Sequence, residues 1–170
     1  LNPSRNVNFN TRQNDYDISA DALGYPESYY TPPSEAVDEI QLIRGAASLQ
    51  FGPQFGGLIN YKLKKGTIDK KAEFILRHTI GSYGLNNSFL SVSGTINSWN
   101  YIAYGNYKSG DDWRANSSFK LGHGHFSISK KLSKSSMIGI EFSKMYYLAQ
   151  QAGGLTDNLF YSNPDTSVRQ

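Results

Sequence analysis

The fold is decided by one stretch of sequence, Val37-Asp38-Glu39-Ile40-Gln41-Leu42-Ile43-Arg44-Gly45-Ala46-Ala47-Ser48-Leu49-Gln50-Phe51-Gly52-Pro53-Gln54-Phe55-Gly56-Gly57-Leu58-Ile59-Asn60-Tyr61. Residues 39–44 alternate between polar and apolar side chains, and the alternation returns over residues 58–64, which predicts two short strands. Glycines at 45, 52, 56 and 57 either serve as simple turn residues or allow backbone approaches that a Cβ would block. We therefore expect two strands joined by a glycine-rich connection.

Upstream of these strands, Thr31-Pro32-Pro33-Ser34 is typical of a helix entry. Ser34 can cap the first amides, and Asp38 favours the positive end of the helix. One or two helical turns are expected there, so the first part of the chain is mixed α and β. The pattern changes near Gly66, and we place a boundary at about residues 66–71.

After that boundary the sequence predicts amphipathic strands separated by turn residues. The five predicted strands cover residues 72–80, 88–97, 99–109, 117–131 and 137–147. In the fourth strand the apolar parity changes at residues 122–125, which we interpret as a bulge. Short turns at residues 97–98 and 132–136 would lie at one end of the sheet, and the long polar stretch 148–170 at the other. Outer-membrane barrels show this asymmetry between short inner turns and long outer loops.

The composition agrees with strands that have one wet face and one apolar face. Hydrophobic residues make up 38% of the 170 residues, aromatic residues 14% and charged residues 18%. No apolar run approaches the roughly 20 residues of a membrane-spanning helix. The chain has no cysteine, which excludes disulfides, thiolate zinc sites and a thiol nucleophile. The net charge of +3 comes from lysines beside turns, which do not form a nucleic-acid footprint, and no catalytic motif is present, so we do not expect an enzyme.

The stretch 37–61 resembles the closing part of the plug domain of TonB-dependent outer-membrane transporters. The shared pattern is an acidic residue, an apolar strand, Arg-Gly, small residues, an aromatic residue before Gly, Gly-Gly, an apolar pair and Asn. The resemblance implies the C-terminal part of an α+β plug domain, followed by the first about five antiparallel strands of a large transmembrane β-barrel. The implied domains are the plug at 1–66, a linker at 67–71, and barrel strands with extracellular loops at 72–170.

A narrower resemblance is to the ferric citrate receptor subfamily of Bacteroidetes-type bacteria. It rests on Gly52-Pro53-Gln54, on residues 24–30 (GYPESYY) and on residues 150–156 (QQAGGLT), where Ala152 replaces an expected proline. The implied function is energised import of a ferric citrate-like chelate. Uptake of another siderophore or small nutrient is the alternative.

The resemblance also implies functional residues. The proposed ligand-binding residues lie where the family has ligand-facing loops: Arg12, Gln13, Tyr25, Glu27, Tyr29 and Gln151. An arginine fork suits carboxylates, and Tyr and Gln donate hydrogen bonds to a hydroxylated chelate, although a surface loop without ligand fits the same residues. Glu39 and Arg44 would form ionic contacts between plug and barrel, or else an exposed pair. For His123 and His125 we assign no metal.

The same resemblance sets the expected partners and location. The partners would be TonB with its inner-membrane energising complex, a ferric chelate and outer-membrane lipids, with no nucleic acid. No cofactor is expected, because iron would travel only within the chelate, and the location would be the outer membrane of a Gram-negative bacterium. Since five strands cannot close a barrel, we expect the remaining strands and the TonB-contacting segment to lie outside this chain. A soluble β-rich binding module, folded as a sandwich, is the competing hypothesis.

Overall fold

A computed structural model describes residues 10–18, 31–44, 51 and 57–169 of the chain. The chain divides into two compact units, an N-terminal unit of residues 1–64 and a C-terminal unit of residues 65–170. The division falls just before the boundary expected from the sequence at 66–71. Each unit is built on its own β-sheet.

The N-terminal unit contains a four-stranded sheet in the order β2-β1-β4-β3. Its strands are β1 (Asn10–Gln13), β2 (Tyr16–Asp17), β3 (Val37–Ile43) and β4 (Leu58–Leu63). β1 pairs with β4 in parallel, and the other pairs are antiparallel. The strands predicted at 39–44 and 58–64 are confirmed as β3 and β4. The β1–β2 hairpin was not predicted, although Asn14 and Asp15, with φ of 47° and 72°, are residue types that tolerate its left-handed turn.

The predicted helix after Ser34 is a single 3₁₀ turn, Ser34–Ala36. The prediction of Ser34 as the cap is wrong, because Pro33 holds the cap position without a capping side chain, and the Ser34 hydroxyl lies 3.1 Å from Glu35 Oε2. The helix ends early because the backbone enters sheet pairing. The Lys64 amide donates to the Ala36 carbonyl at 2.8 Å, and β3 begins at the next residue.

Gly57 is one position where the backbone requires glycine. Its φ is 98°, and a Cβ there would lie 2.4 Å from the Ile43 carbonyl oxygen. The expected close approach is therefore confirmed at this residue. Gly45, Gly52 and Gly56 lie outside the described residues.

The C-terminal unit is a five-stranded antiparallel sheet in which each strand pairs with the next. Its strands are β5 (Glu73–Ile80), β6 (Asn86–Ile96), β7 (Trp99–Gly110), β8 (Phe119–Lys131) and β9 (Met137–Ala149). All five predicted strands are confirmed, with ends shifted by a few residues. Asn97 and Ser98, with φ of 48° and 67°, form the predicted two-residue turn.

The predicted bulge in β8 is wrong. The pairing of β7 with β8 runs without interruption through Tyr104 opposite His125 and Asn106 opposite His123. The parity changes because Phe119 and Leu121 stand on the polar side of the sheet near the end of the strand. Phe119 is accommodated there by Lys108, whose ammonium lies 5.8 Å from its ring centroid.

The segment before β5 packs against β6 and β7. The Asn100 side chain accepts from the Gly66 amide at 2.9 Å and donates to the Gly66 carbonyl at 2.7 Å. A Cβ on Gly94 would lie 2.2 Å from the Lys71 carbonyl oxygen. These contacts fix the predicted linker 67–71 against the end of the sheet.

A short helix, α1 (Asp157–Ser162), lies in the stretch after β9 and was not predicted. The Thr156 hydroxyl caps it by accepting from the Leu159 amide at 3.4 Å. Among the described residues, no helix combines the length and apolar character needed to cross a membrane.

Candidate functional site

One side of the C-terminal sheet, here called the apolar face, presents large hydrophobic side chains to its surroundings. Phe74 is 72% exposed, Leu76 77% and Ile140 69%. Strand register places the members of this face on the same side of the sheet: Phe74, Leu76, Ile80, Leu90, Val92, Ile96, Ala103, Phe126, Ile128, Ile138, Ile140 and Phe142. An apolar patch that spans five strands marks contact with a membrane or a partner rather than with water.

Aromatic side chains border the apolar face at both ends. Trp99 begins β7 at one end, and Tyr107 lies eight positions later on the same strand and the same face. At about 3.3 Å per residue this separation is about 26 Å. Transmembrane strands tilt by about 35–45°, which reduces this length to about 20 Å along the membrane normal, somewhat below the apolar band of about 25 Å between aromatic girdles.

The opposite side of the sheet, the polar face, has a buried cluster centred on Tyr104. The Tyr104 ring is 5% exposed and lies 5.6 Å from the Phe89 ring, 5.2 Å from His123 and 5.0 Å from His125, centroid to centroid. His125 Nδ1 lies 2.7 Å from Ser143 Oγ. The two histidines thus pack as members of an aromatic and polar layer. In the part of the chain that the structure describes, no group of three acidic or histidine side chains could hold a metal ion.

The N-terminal sheet is held by a polar cluster around Asn60, whose side chain is 0% exposed. Its amide nitrogen donates to Asp15 Oδ1 at 2.8 Å and to Gln41 Oε1 at 2.9 Å, and its oxygen accepts from the Asp15 amide at 3.0 Å. Lys62 completes the group with an ion pair to Asp15 at 2.5 Å. The cluster therefore ties the β1–β2 turn to β4 and β3.

The same contacts govern the charge of Asp15. The hydrogen bond from the Lys62 ammonium is the largest cause that lowers the pKa of the Asp15 carboxyl, and the Asn60 amide adds to it. Desolvation acts in the opposite direction and is outweighed. The carboxylate is thus kept ionised as an acceptor for its neighbours.

Arg12 and Gln13, both predicted to bind ligand, lie in β1. The Arg12 guanidinium donates to the carbonyls of Asp15 at 2.7 Å and Phe51 at 2.9 Å, and lies 5.0 Å from the Phe51 ring centroid. Gln13 is 4% exposed. Both side chains are therefore engaged within the N-terminal unit, and their contact with a ligand stays a prediction.

The other predicted residues are placed apart from one another. Glu39 is exposed on β3 opposite Lys62, and Arg44 is exposed just after the same strand. Their role in contacts between plug and barrel stays a prediction. Tyr25, Glu27 and Tyr29 lie outside the described residues.

A clamp built on Arg114 organises the long segment after β9, and the sequence did not reveal it. The Arg114 guanidinium donates to the carbonyls of Gly153 and Thr166, both at 2.9 Å. Gln151, a predicted ligand-binding residue, accepts from the Arg169 guanidinium at 2.7 Å. The segment 150–169 thus folds back on the β7–β8 connection and presents Gln151 on its surface.

Long antiparallel strands with an exposed apolar face between aromatic rows are the features of a membrane-spanning β-sheet protein. Solved structures of the same fold are those of the pyoverdine outer-membrane receptor FpvA from Pseudomonas aeruginosa PAO1 bound to pyoverdine, and of the ferripyoverdine receptor of the Pseudomonas aeruginosa outer membrane bound to ferripyoverdine. The TM-scores are 0.67 and 0.66, with 19% sequence identity in each case. Each match covers 80% of this chain.

The chain spans 20% and 18% of the length of these two receptors. No family model matches the sequence, and no curated protein matches it. The structural likeness shows that the chain shares the fold of a part of these two receptors.

Proposed function

We propose that this chain is part of a TonB-dependent receptor that imports a ferric chelate across the outer membrane of a Gram-negative bacterium. The observation that carries the proposal is the shared fold over 80% of the chain with two siderophore receptors. The apolar face supports it independently, because its exposed hydrophobic side chains lie between aromatic rows, as in a membrane-spanning sheet.

In this proposal residues 1–66, which include the whole N-terminal unit, are the C-terminal part of the plug. Residues 67–71 lead into the barrel wall, and residues 72–170 supply its first strands. The turns at 97–98 and 132–136 face the periplasm, and the longer connections 111–118 and 150–169 face the exterior. The difference in connection length supports this orientation.

The ligand would be a ferric chelate rich in oxygen groups. Ferric citrate is our choice from the resemblance at residues 24–30, 52–54 and 150–156, and another siderophore, of which the neighbours' pyoverdine is an example, is the alternative. The proposed contacts are Arg12, Gln13, Tyr25, Glu27, Tyr29 and Gln151. A buried Gln13 reaches ligand only if β1 moves, so its contact belongs to a rearranged plug.

Energy for import would come from TonB and its inner-membrane complex acting on the plug. Glu39 and Arg44 would contact the barrel wall and hold the plug until it is rearranged. Both side chains are exposed within this chain, so such contacts would be buried only where the barrel wall covers them. Removing one partner of a buried ion pair costs about 3–5 kcal/mol, which would resist spontaneous opening.

The competing hypothesis, a soluble sandwich, conflicts with the apolar face. A sandwich would bury the apolar side of its sheet against a second sheet. Here Phe74 and Ile140 are 72% and 69% exposed. The exposure favours a membrane-facing wall.

The test is growth of a strain in which the whole receptor gene is deleted, with ferric citrate, ferripyoverdine or another single chelate as the iron source. We expect growth on ferric citrate to be lost and to return with the wild-type gene only when TonB is present. A Gln151→Ala receptor should raise the chelate concentration needed for growth, whereas Asn158→Ala in α1 should not. Unchanged growth on every ferric chelate would refute iron import, and a defect limited to another chelate would replace citrate.

A further inference from the structure

The two ends of the C-terminal sheet differ in charge. The turn end comprises residues 65–73, 97–100 and 129–139, and it carries six lysines and two carboxylates, a net charge of +4. The loop end comprises residues 81–87, 108–120 and 145–169, and its four basic side chains balance its four acidic ones. The positive charge of this unit is therefore concentrated where the strands are joined by short turns.

At the turn end, one lysine is fixed at the border of the apolar face. Lys130 pairs with Trp99 on β7 and with Ile138 on β9, so all three stand on the apolar face in one row. The Lys130 ammonium lies 5.4 Å from the centroid of the Trp99 ring. A ring face attracts the cation but takes no conventional hydrogen bond, so the ammonium keeps N–H donors for an oxygen acceptor.

The depth of this row identifies the kind of acceptor. Trp99 marks the edge of the apolar band, and tryptophan at such an edge lies at the level of lipid headgroups. Lysines near this level extend their ammonium groups toward the polar layer. In the proposed membrane placement, lipid phosphates would supply anionic oxygen atoms at the level of Lys130.

We propose that Trp99 and Lys130, with added charge from Lys134 in the adjoining turn, form a binding site for the phosphate of an anionic phospholipid. The inference rests on the proposed membrane placement of the sheet, with the turn end toward the periplasmic leaflet. The ring of Trp99 orients the ammonium, the apolar side chains of Ile138 and Ile140 contact the acyl chains, and the excess of lysines selects a headgroup with net negative charge. The balanced loop end has no such selectivity.

The experiment uses the full-length receptor in bilayers that contain spin-labelled phosphatidylglycerol or phosphatidylcholine. Each lysine near an anionic surface contributes about fivefold to binding. We expect Lys130→Gln to lower the preference for phosphatidylglycerol about fivefold and Lys130→Gln with Lys134→Gln about 25-fold, by the same factor applied twice. Lys130→Arg should retain the preference, because guanidinium keeps both the charge and the ring contact.

Lys120 provides the matched control, because it lies on the same strand and the same face at the loop end. Lys120→Gln should leave the preference unchanged. An equal loss in Lys120→Gln and Lys130→Gln would overturn the site in favour of general charge attraction. The absence of any wild-type preference, or displacement of the lipid by inorganic phosphate at equal concentration, would also overturn it.

Iron uptake is measured on the same variants to separate this inference from the proposed function. We expect Lys130→Gln to import the chelate as the wild type does. If the wild type imports no chelate but shows the lipid preference and its loss in Lys130→Gln, the transport proposal fails and the lipid site stands. If uptake is normal and the lipid preference is absent, only the lipid site fails.

Discussion

The two sheets of this chain are stabilised in opposite ways. The N-terminal sheet has strands of two to seven residues, and a fully buried Asn60 joins three of its elements through hydrogen bonds. The C-terminal sheet has strands of up to 13 residues, and large hydrophobic side chains on its apolar face, such as Phe74, Leu76 and Ile140, are exposed. The N-terminal sheet shields a polar centre from solvent, whereas the C-terminal sheet presents apolar side chains to its surroundings.

This difference indicates that the two sheets have different solvents. Buried polar groups are stable only when their partners are present, so the N-terminal sheet depends on individual contacts. Exposed phenylalanine and isoleucine are favourable where the surroundings are hydrocarbon, so in the proposed receptor the C-terminal sheet would depend on the membrane. Substitutions in the two sheets should therefore lower stability for different physical reasons.

The largest loss of stability is expected from a charged substitution on the apolar face. Phe74→Arg places a charge in the middle row of the band and should destabilise the membrane-inserted receptor by about 2–4 kcal/mol. Thr79→Arg, on the polar face of the same strand and also exposed, should cost less than about 1 kcal/mol. Urea unfolding from lipid vesicles measures both. Equal effects of the two substitutions would show that the faces have the same solvent.

The second largest loss of stability is expected when the polar cluster around Asn60 is disrupted. Asn60→Leu keeps the side-chain size but removes the amide that donates to both Asp15 and Gln41, which should cost about 2–3 kcal/mol in local stability. Hydrogen exchange of β1 and β4 amides in the full receptor measures the loss. Asn158→Leu, in exposed α1, is the control and should not alter exchange in these strands. Unchanged protection in Asn60→Leu would show that the buried amide is dispensable.

A smaller loss of stability should distinguish alanine substitutions at two glycines of the C-terminal sheet. Gly94→Ala forces a Cβ against the Lys71 carbonyl and should destabilise the sheet by about 1–3 kcal/mol. A Cβ on Gly105 meets no atom within 4 Å, so Gly105→Ala should be close to neutral. Urea unfolding of the receptor from lipid vesicles measures both changes in stability. A neutral Gly94→Ala would show that the segment before β5 does not pack on β6.

The smallest effect is the pH dependence of the β1–β2 turn. Because the pKa of Asp15 is lowered by Lys62, its stabilisation is fully present above the ordinary value of 3.8 and is lost as the pH falls below it. The exposed pair should contribute less than about 1 kcal/mol. Hydrogen exchange of the turn, corrected for intrinsic rates, should show this acid-linked loss in the wild type and a smaller loss in Lys62→Met, where Asn60 still donates to the carboxylate. An identical acid response in both proteins would exclude the ion pair as its cause.

The sequence predicted the elements that follow from periodicity. Two strands of the first sheet and all five of the second were expected, because alternation of side chains and turn residues is local information. The bulge in β8 was a wrong prediction, since Phe119 and Leu121 are apolar residues on the polar face. Where apolar residues occur on both sides of a strand end, local alternation does not show which side faces the apolar surroundings.

The contacts that join distant positions were not predictable in the same way. Asn60 meets Asp15 across 45 positions, and Arg114 meets Thr166 across 52. No local pattern marks such pairs, because they depend on strand order and loop paths. Two local signals were available and missed, the turn residues Asn14 and Asp15 and the helix cap Thr156 before Asp157.

The most direct test of the membrane-facing wall is nitroxide scanning along β9. This chain has no cysteine, and single cysteines are introduced from Met137 to Ala149 in a full receptor from which any other cysteine has been removed, so that each variant carries one label. In the full receptor in bilayers, we predict that labels at Ile138, Ile140 and Phe142 are accessible to oxygen, and labels at Gly139 and Glu141 to a water-soluble nickel complex. Equal access of the nickel complex to both sets would contradict the account, because it would place the apolar face in water.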